Sequence, residues 1–177
     1  TILNFITTPE WYNNKNKDKI MKKNLLIITT IFLFLISKNA FSLEKGKWTF
    51  VKDDDWCYVG SLPLETDLPE TKKRGENYIL VYKIIGSDQN IVQIEAGYNY
   101  NLDKDIIVTI DNTLFNFYST KDSSDTAWTD DDKEVVFAMK KGLKLILNGE
   151  SSRGTITNDT YTLKGFTKAI NQLNKDC

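Results

Sequence analysis

The stretch GESSRGTITNDTYTLKGF, residues 149–166, holds the side chains of this chain that are best suited to binding chemistry. Ser151, Ser152 and Arg153 are consecutive in it, and Gly154 follows them. A guanidinium beside hydroxyls can bind an anion or a carboxylate of a partner. The same five donors can tie turn carbonyls or a carboxylate of the domain together, while Gly154 supplies a backbone angle that other residues avoid. We favour the structural role for Arg153, with anion or carboxylate binding as the alternative.

The composition restricts the catalytic chemistry that is available to this chain. No histidine occurs in the sequence, which excludes Ser-His-Asp and Cys-His arrangements, histidine zinc sites and proton transfer by imidazole. The tetrapeptide SLEK, residues 42–45, matches the S-x-x-K pattern of a serine-lysine dyad. We interpret this match as coincidental, because it straddles the point at which a leader segment is predicted to be removed. We therefore predict no catalytic residue and no cofactor.

Two acidic triplets, residues 53–55 and 130–132, are the candidates for binding a hard cation. Neither has the spacing of a calcium loop, so we interpret both as solvated turns and predict no metal site. The second triplet also predicts the start of a helix, in which Asp131 and Glu134 form a capping box.

The chain has two cysteines, Cys57 and Cys177. An even number of cysteines in an exported chain normally forms disulfides. We predict one bridge between these two residues, with a pair of unpaired thiols as the alternative. In the chain-entropy model, closing so long a loop contributes roughly 5 kcal/mol to stability, as an upper bound.

Residues 21–42 have the pattern of a secretory signal peptide. A basic start precedes the apolar run NLLIITTIFLFLIS, and the small residues Ala40 and Ser42 are spaced for cleavage. The apolar run is too short for a membrane anchor, which needs ~20 residues. We therefore predict cleavage between Ser42 and Leu43 and a periplasmic, outer-surface or secreted location. Residues 1–20, polar and without a sustained period, are interpreted as a non-native or disordered extension.

Cleavage at this point leaves residues 43–177 as one domain of ordinary size. These residues carry 17 Lys+Arg and 22 Asp+Glu, a net charge of −5. An acidic domain without a basic stripe is a poor partner for nucleic acid, and it lacks the polybasic surface that holds proteins to anionic lipid. We predict a protein or envelope partner of unknown identity, no nucleic-acid partner, and no stable membrane anchor after cleavage.

Period-2 runs of apolar residues, separated by Gly, Asn, Asp and Ser, predict a series of short strands. The predicted strands are KWTFV, WCYVGS, NYILVYKII, NIVQIEAG, DIIVTID, TLFNFYS and LKLILNG, with two more short strands after a turn at residues 151–154. Helical spacing predicts helices in DDKEVVFAMKKG, which Gly142 ends, and in GFTKAINQLNKDC. The predicted fold is mostly β: a single-domain antiparallel β-sandwich or partly open barrel with two short helices, one of them C-terminal.

The residues from about Trp48 to Cys177 resemble the invasion-associated locus B family, exported proteins of Gram-negative bacteria. The segments that carry the resemblance are WCYVGSLP, RGENYILVYKI, GYNYN, DTAWTDDDKEVVFAMKKG and NGESSRGTITNDTYTLKGFTKAINQLNKDC. The last segment is the most specific, with Ser-Arg-Gly-Thr, Tyr-x-Leu-x-Gly-Phe and a terminal cysteine. The resemblance implies export, one β-rich domain, and no catalytic residues. The family is named for a locus associated with entry into host cells, and it also occurs in bacteria that invade nothing.

Three functional hypotheses follow from these observations. The first is a non-catalytic interaction module, in which Tyr98 and Tyr100 are exposed contacts or else pack inward. The second is a periplasmic small-ligand-binding domain with a pocket lined by Phe115, Phe117 and Tyr82. The third is a hydrolase that uses two carboxylates facing each other across a cleft. We favour the interaction module. A role in host-cell association is suggested by the family name alone.

Overall fold

The computed structural model of this protein describes residues 42–177. The predicted extension at residues 1–20 and the predicted signal peptide, apart from Ser42, lie outside the described residues. Within the described part, no helix is both long enough and apolar enough to cross a membrane.

Ten strands form one antiparallel sheet, and the prediction of a mostly β fold is confirmed. The strands are β1 (Thr49–Lys52), β2 (Trp56–Ser61), β3 (Glu65–Thr66), β4 (Tyr78–Ile84), β5 (Ile91–Glu95), β6 (Ile106–Ile110), β7 (Thr113–Thr120), β8 (Ser123–Trp128), β9 (Lys144–Glu150) and β10 (Ile156–Thr162). Their order across the sheet is β1-β2-β4-β5-β8-β7-β6-β9-β10-β3. The sequence did not predict β3 or β8, and it predicted two short strands where the structure has the single strand β10.

The sheet curls until its two ends approach each other. β2 and β3 lie near opposite ends of the strand order, yet only three residues separate them along the chain. Next to β1, the indole N–H of Trp48 donates a hydrogen bond of 2.8 Å to the carbonyl of Thr162, at the end of β10. Of the two predicted architectures, the structure therefore has the partly open barrel.

Alternation along the strands places one apolar face of the sheet in the core. Ile106, Val108 and Ile110 of β6 are buried, as are Leu145 and Leu147 of β9. Leu143, the first residue of the predicted strand LKLILNG, is 80% exposed, because β9 begins only at Lys144. Three consecutive β4 side chains, residues 79–81, are buried, so both faces of this internal strand are covered.

Two helices, α1 (Asp132–Lys141) and α2 (Phe166–Asp176), cover part of this core. Their buried side chains at helical spacing are Val135, Val136, Met139, Phe166, Ala169, Ile170 and Leu173. The predicted capping box is wrong, since Asp131 makes no side-chain capping bond. Gly142 ends α1 as predicted, and its φ of −78° is ordinary. The glycine is needed for space there, because a Cβ atom would lie 2.7 Å from Ile110 Cγ2.

The predicted disulfide is confirmed. Cys57 of β2 and Cys177, directly after α2, are bonded, with their Cα atoms 5.9 Å apart. Lys52 Nζ also donates a hydrogen bond of 2.8 Å to the carbonyl of Asp176. The end of α2 is therefore pinned to the first strands of the sheet.

Candidate functional site

A cavity of about 610 Å³, hereafter the pocket, lies where three connections between strands meet. Its walls come from the β3–β4 connection (residues 68–74), the β5–β6 connection (residues 97–99) and the β9–β10 turn with the start of β10 (residues 151–157). Pockets that hold small molecules have volumes of roughly 300–1,000 Å³. The polar turn singled out in the sequence is thus one wall of a site of suitable size for a ligand.

The β9–β10 turn is held by its own backbone and by one serine. Ser151 Oγ accepts a hydrogen bond of 3.1 Å from the N–H of Thr155, and the N–H of Ser151 donates to the Thr155 carbonyl at 2.8 Å. The N–H of Gly154 donates to the carbonyl of Ser151 at 2.8 Å. Gly154 has a φ of 77°, in the left-handed region where a side chain is strained. The turn is closed without any contribution from Arg153.

Arg153 makes none of the contacts among residues 42–177 that a structural role in this turn would need. Its side chain is exposed. Among residues 42–177, its guanidinium donates no hydrogen bond and has no carboxylate within 4.0 Å. The structural interpretation of this residue is not supported, because Ser151 and the backbone close the turn. The five donors of Arg153 are instead available at the wall of the pocket.

The second wall joins the turn through residues 97–99. The N–H of Ser152 donates a hydrogen bond of 2.7 Å to the carbonyl of Asn99. The hydroxyls of Tyr98 and Thr157 share a hydrogen bond of 2.8 Å. Burial raises the pKa of Tyr98, and the bond to Thr157 opposes this rise, so the phenol stays protonated at neutral pH. These contacts fix Tyr98 as a half-buried aromatic wall of the pocket.

Of the two alternatives given for Tyr100, exposed contact or inward packing, the structure has the second. It is 2% exposed, and its ring packs against Tyr98 with the ring centroids 5.4 Å apart. The space for it depends on Gly149 of β9, where a Cβ atom would lie 2.8 Å from Tyr100 Cε1. Of the two tyrosines in GYNYN, only Tyr98 reaches the pocket.

A buried ion pair anchors the third connection, and sequence reasoning missed it. Arg74 donates to both carboxylate oxygens of Asp159, at 2.7 and 2.5 Å. It also donates to the Ala96 carbonyl at 3.3 Å and to Thr66 Oγ1 at 3.1 Å. Burial alone would lower the pKa of Arg74, but the hydrogen bonds and charge of Asp159 raise it above its usual range.

A signal for this pair was present in the sequence. Asp159 stands between Thr157 and Tyr161, and all three lie on the buried face of β10. A carboxylate on an inward face needs a cation or several donors. The chain has two arginines, Arg74 and Arg153, so the pairing was a choice between two candidates.

Three cations of the pocket remain without a carboxylate. Lys72, Lys73 and Arg153, hereafter the cation cluster, are exposed, and within residues 42–177 none of them forms a salt bridge. Lys72 Nζ donates a hydrogen bond of 2.9 Å to Thr155 Oγ1, which is neutral. Three positive charges thus converge on one cavity in a domain whose net charge is −5.

A smaller cavity of about 360 Å³ adjoins the pocket and shares residues 97–99 with it. Its charged side chains are all acidic: Glu76, Glu95 and Asp125. Burial raises the pKa of Glu95; a hydrogen bond from Thr126 opposes this rise, and the neighbouring Asp125 adds to it. Cationic and acidic side chains therefore line two neighbouring cavities that share residues 97–99.

The structure does not bring together the aromatic residues that were predicted to line a pocket. Phe115 and Phe117 are packed in the core. Tyr82 packs edge-to-face against Trp56, with the ring centroids 5.8 Å apart. The small-ligand hypothesis therefore loses its predicted site.

The acidic triplets make local structural contacts. Asp53 Oδ1 accepts a hydrogen bond of 2.9 Å from the N–H of Asp54. Asp132 Oδ1 accepts one of 2.8 Å from the N–H of Val92 and so ties the start of α1 to β5. In the part of the chain that the structure describes, no three Cys, Asp or Glu side chains are grouped to hold a metal ion.

The fold and the pocket define a disulfide-bonded, β-rich protein with a concave site of cations and hydroxyls. The chain belongs to the invasion associated locus B (IalB) family, whose model matches residues 52–174. The resemblance seen in the sequence is thus confirmed. The chain is similar to the crystal structure of invasion associated protein b from Bartonella henselae, at 15% identity, covering 71% of this chain and 95% of that chain, with a TM-score of 0.47. A comparison with curated proteins returned no match.

Proposed function

We propose that this chain is an exported, non-catalytic binding module of the bacterial envelope, which holds an anionic group of a partner molecule in the pocket. The observation that carries the proposal is the cation cluster, three positive charges on one cavity without a carboxylate partner among residues 42–177. Like charges that converge in a concave surface concentrate the positive potential there and attract anions. Membership of the IalB family and the absence of histidine agree with a role in binding.

The two arginines have different roles in this proposal: Arg74 supports the fold, and Arg153 binds the anion. The fork of Arg74 is occupied by Asp159, whereas the fork of Arg153 has no partner among residues 42–177. A free guanidinium can bind a carboxylate or a phosphate through two parallel hydrogen bonds. The hydrogen bonds that close the β9–β10 turn hold its backbone in place before a ligand arrives, which reduces the entropic cost of binding.

The alternative function, a periplasmic small-ligand-binding domain, would use the same pocket rather than the aromatic residues that the sequence suggested. The volume of about 610 Å³ favours it, since a single group of a protein partner needs less space. The two functions differ in whether the pocket takes a whole small molecule or one group of a larger partner.

Arg153→Ala is expected to weaken anion binding about tenfold, because a charge-assisted hydrogen bond contributes about 1.5 kcal/mol. The free energy of unfolding should change by less than ~0.5 kcal/mol, because exposed substitutions change stability little. Inorganic phosphate is the probe, titrated while the backbone amides are followed by NMR. Shifts should be confined to the three connections that line the pocket.

Lys168→Ala is the matched control, since Lys168 is also exposed and lies on α2, outside the pocket. Its phosphate affinity should equal that of the parent. Phosphate shifts spread over the whole surface, or equal losses in both variants, would contradict an anion site at the pocket. A lowered melting temperature for Arg153→Ala would restore the structural interpretation.

Export is a separate part of the proposal with its own test. We expect protein from a periplasmic fraction to begin at Leu43 with Leu-Glu-Lys-Gly, because Ala40 and Ser42 have the spacing of a cleavage site. Amino-terminal sequencing checks this expectation. An uncleaved chain recovered with the membranes would contradict it.

A further inference from the structure

We infer that the ligand of the pocket is a phosphorylated sugar, whose phosphate lies on the cation cluster and whose sugar contacts Tyr98, Asn99 and Ser152. This inference rests on the proposed anion-binding function and specifies its ligand. The same chemistry occurs in a free sugar phosphate and in the headgroup of a glycolipid.

The number of free cations indicates an anion with more than one charge. A single carboxylate carries one charge and is matched by one arginine. A phosphate monoester carries about −1.5 to −2 at neutral pH and presents three strong acceptor oxygens. Lys72, Lys73 and Arg153 together offer matching charge and donors around one cavity.

The remaining polar groups of the pocket suit a ligand with hydroxyls. Among residues 42–177, neither the side-chain amide of Asn99 nor the hydroxyl of Ser152 has a hydrogen-bond partner. Both side chains donate as well as accept, which is what a sugar hydroxyl requires. Tyr98 and Leu68 add apolar surface to the same cavity. The volume of about 610 Å³ can hold a ligand much larger than a phosphate group.

The adjoining acidic cavity argues against an extended polyanion. Glu76, Glu95 and Asp125 line the cavity that shares residues 97–99 with the pocket, and they would repel a second anionic group there. A nucleic acid or an acidic polysaccharide carries charge along its whole length, whereas a sugar phosphate carries it at one end. Within residues 42–177, Tyr98 is also the only aromatic residue that lines the pocket, so this part of the chain offers no pair of aromatic rings to enclose a base.

Calorimetric titration of the disulfide-bonded protein with three probes tests the inference: glucose, its monophosphate and inorganic phosphate. The monophosphate should bind about tenfold more tightly than inorganic phosphate, because the sugar adds hydrogen bonds to Asn99 and Ser152. Glucose alone should show no measurable binding. Ser152→Ala should weaken binding of the monophosphate more than binding of inorganic phosphate, whereas Arg153→Ala should weaken both to the same extent.

Flotation with phosphatidylcholine vesicles, plain or containing lipid A, distinguishes the two sources of the sugar phosphate. Binding to lipid A vesicles that Arg153→Ala weakens would assign a glycolipid headgroup, and binding of the free monophosphate alone would assign a soluble ligand. Equal affinities for the monophosphate and inorganic phosphate would overturn the sugar inference but leave the anion-binding function standing. Tighter binding of a heparin fragment would also overturn it, and failure of every anion to bind would overturn both.

Discussion

Cys57→Ser is expected to lower the free energy of unfolding by about 2–5 kcal/mol, because the bridge closes a loop with a sequence separation of 120. Without the bridge, the unfolded chain gains the conformational freedom that the crosslink removes. The end of α2 then depends on its buried face and on the bond from Lys52 to the Asp176 carbonyl. Loss of the bridge should therefore loosen α2 more than the distant strands.

Denaturant unfolding of Cys57→Ser, Cys177→Ser and the double variant measures this effect. All three should lose the same stability, and the parent should fall to their level when it is reduced. Intact mass after alkylation supplies the control for the redox state. Two alkylated cysteines in the parent before reduction, or a midpoint unchanged by reduction, would contradict the expectation.

Most of the β fold could be predicted because apolar side chains alternate along the strands. β8 shows where this signal fails: its sequence SSDTAW has little apolar content, yet Thr126 and Ala127 are buried and pair with β5. β3 is only Glu65 and Thr66, both exposed, and its pairing with β10 defines it. For both strands, partners distant in sequence override local preference.

The pocket could be predicted only in part for the same reason. The β9–β10 turn is local, and its composition marked it as polar. Its partners, residues 68–74 and 97–99, reach it through pairings between distant strands. The inward position of Tyr100 depends on the missing side chain of Gly149, which no pattern around the tyrosine reveals.

The same limit explains the assignment of the two arginines. A guanidinium serves a buried carboxylate and a bound anion with the same geometry, so residue type alone could not separate Arg74 from Arg153. The deciding observation is the inward carboxylate of Asp159 on β10, which lies beside Arg74. The charge that remains on Arg153 is what makes the pocket a candidate anion site.

Arg74→Met is expected to lower the free energy of unfolding by about 3–5 kcal/mol, because it leaves the carboxylate of Asp159 buried without its cation. Asp159 is 0% exposed and the side chain of Arg74 is 8% exposed. Methionine keeps much of the length and apolar surface of the arginine stem, so the loss reports the charge rather than a cavity. Arg153→Met is the matched control, and since that side chain is exposed, it should change stability by less than ~0.5 kcal/mol.

Combining Arg74→Met with Asp159→Leu should recover much of the loss, since a buried ion pair replaced on both sides by apolar groups is often neutral or stabilising. The recovery, measured by denaturant unfolding as a double-mutant cycle, separates the charge from other effects of the loop. If the double variant were as unstable as the sum of the single variants, the two side chains would not act as a pair. Equal losses for Arg74→Met and Arg153→Met would mean that both arginines support the fold, and the cation cluster would then lose the free guanidinium on which the binding proposal rests.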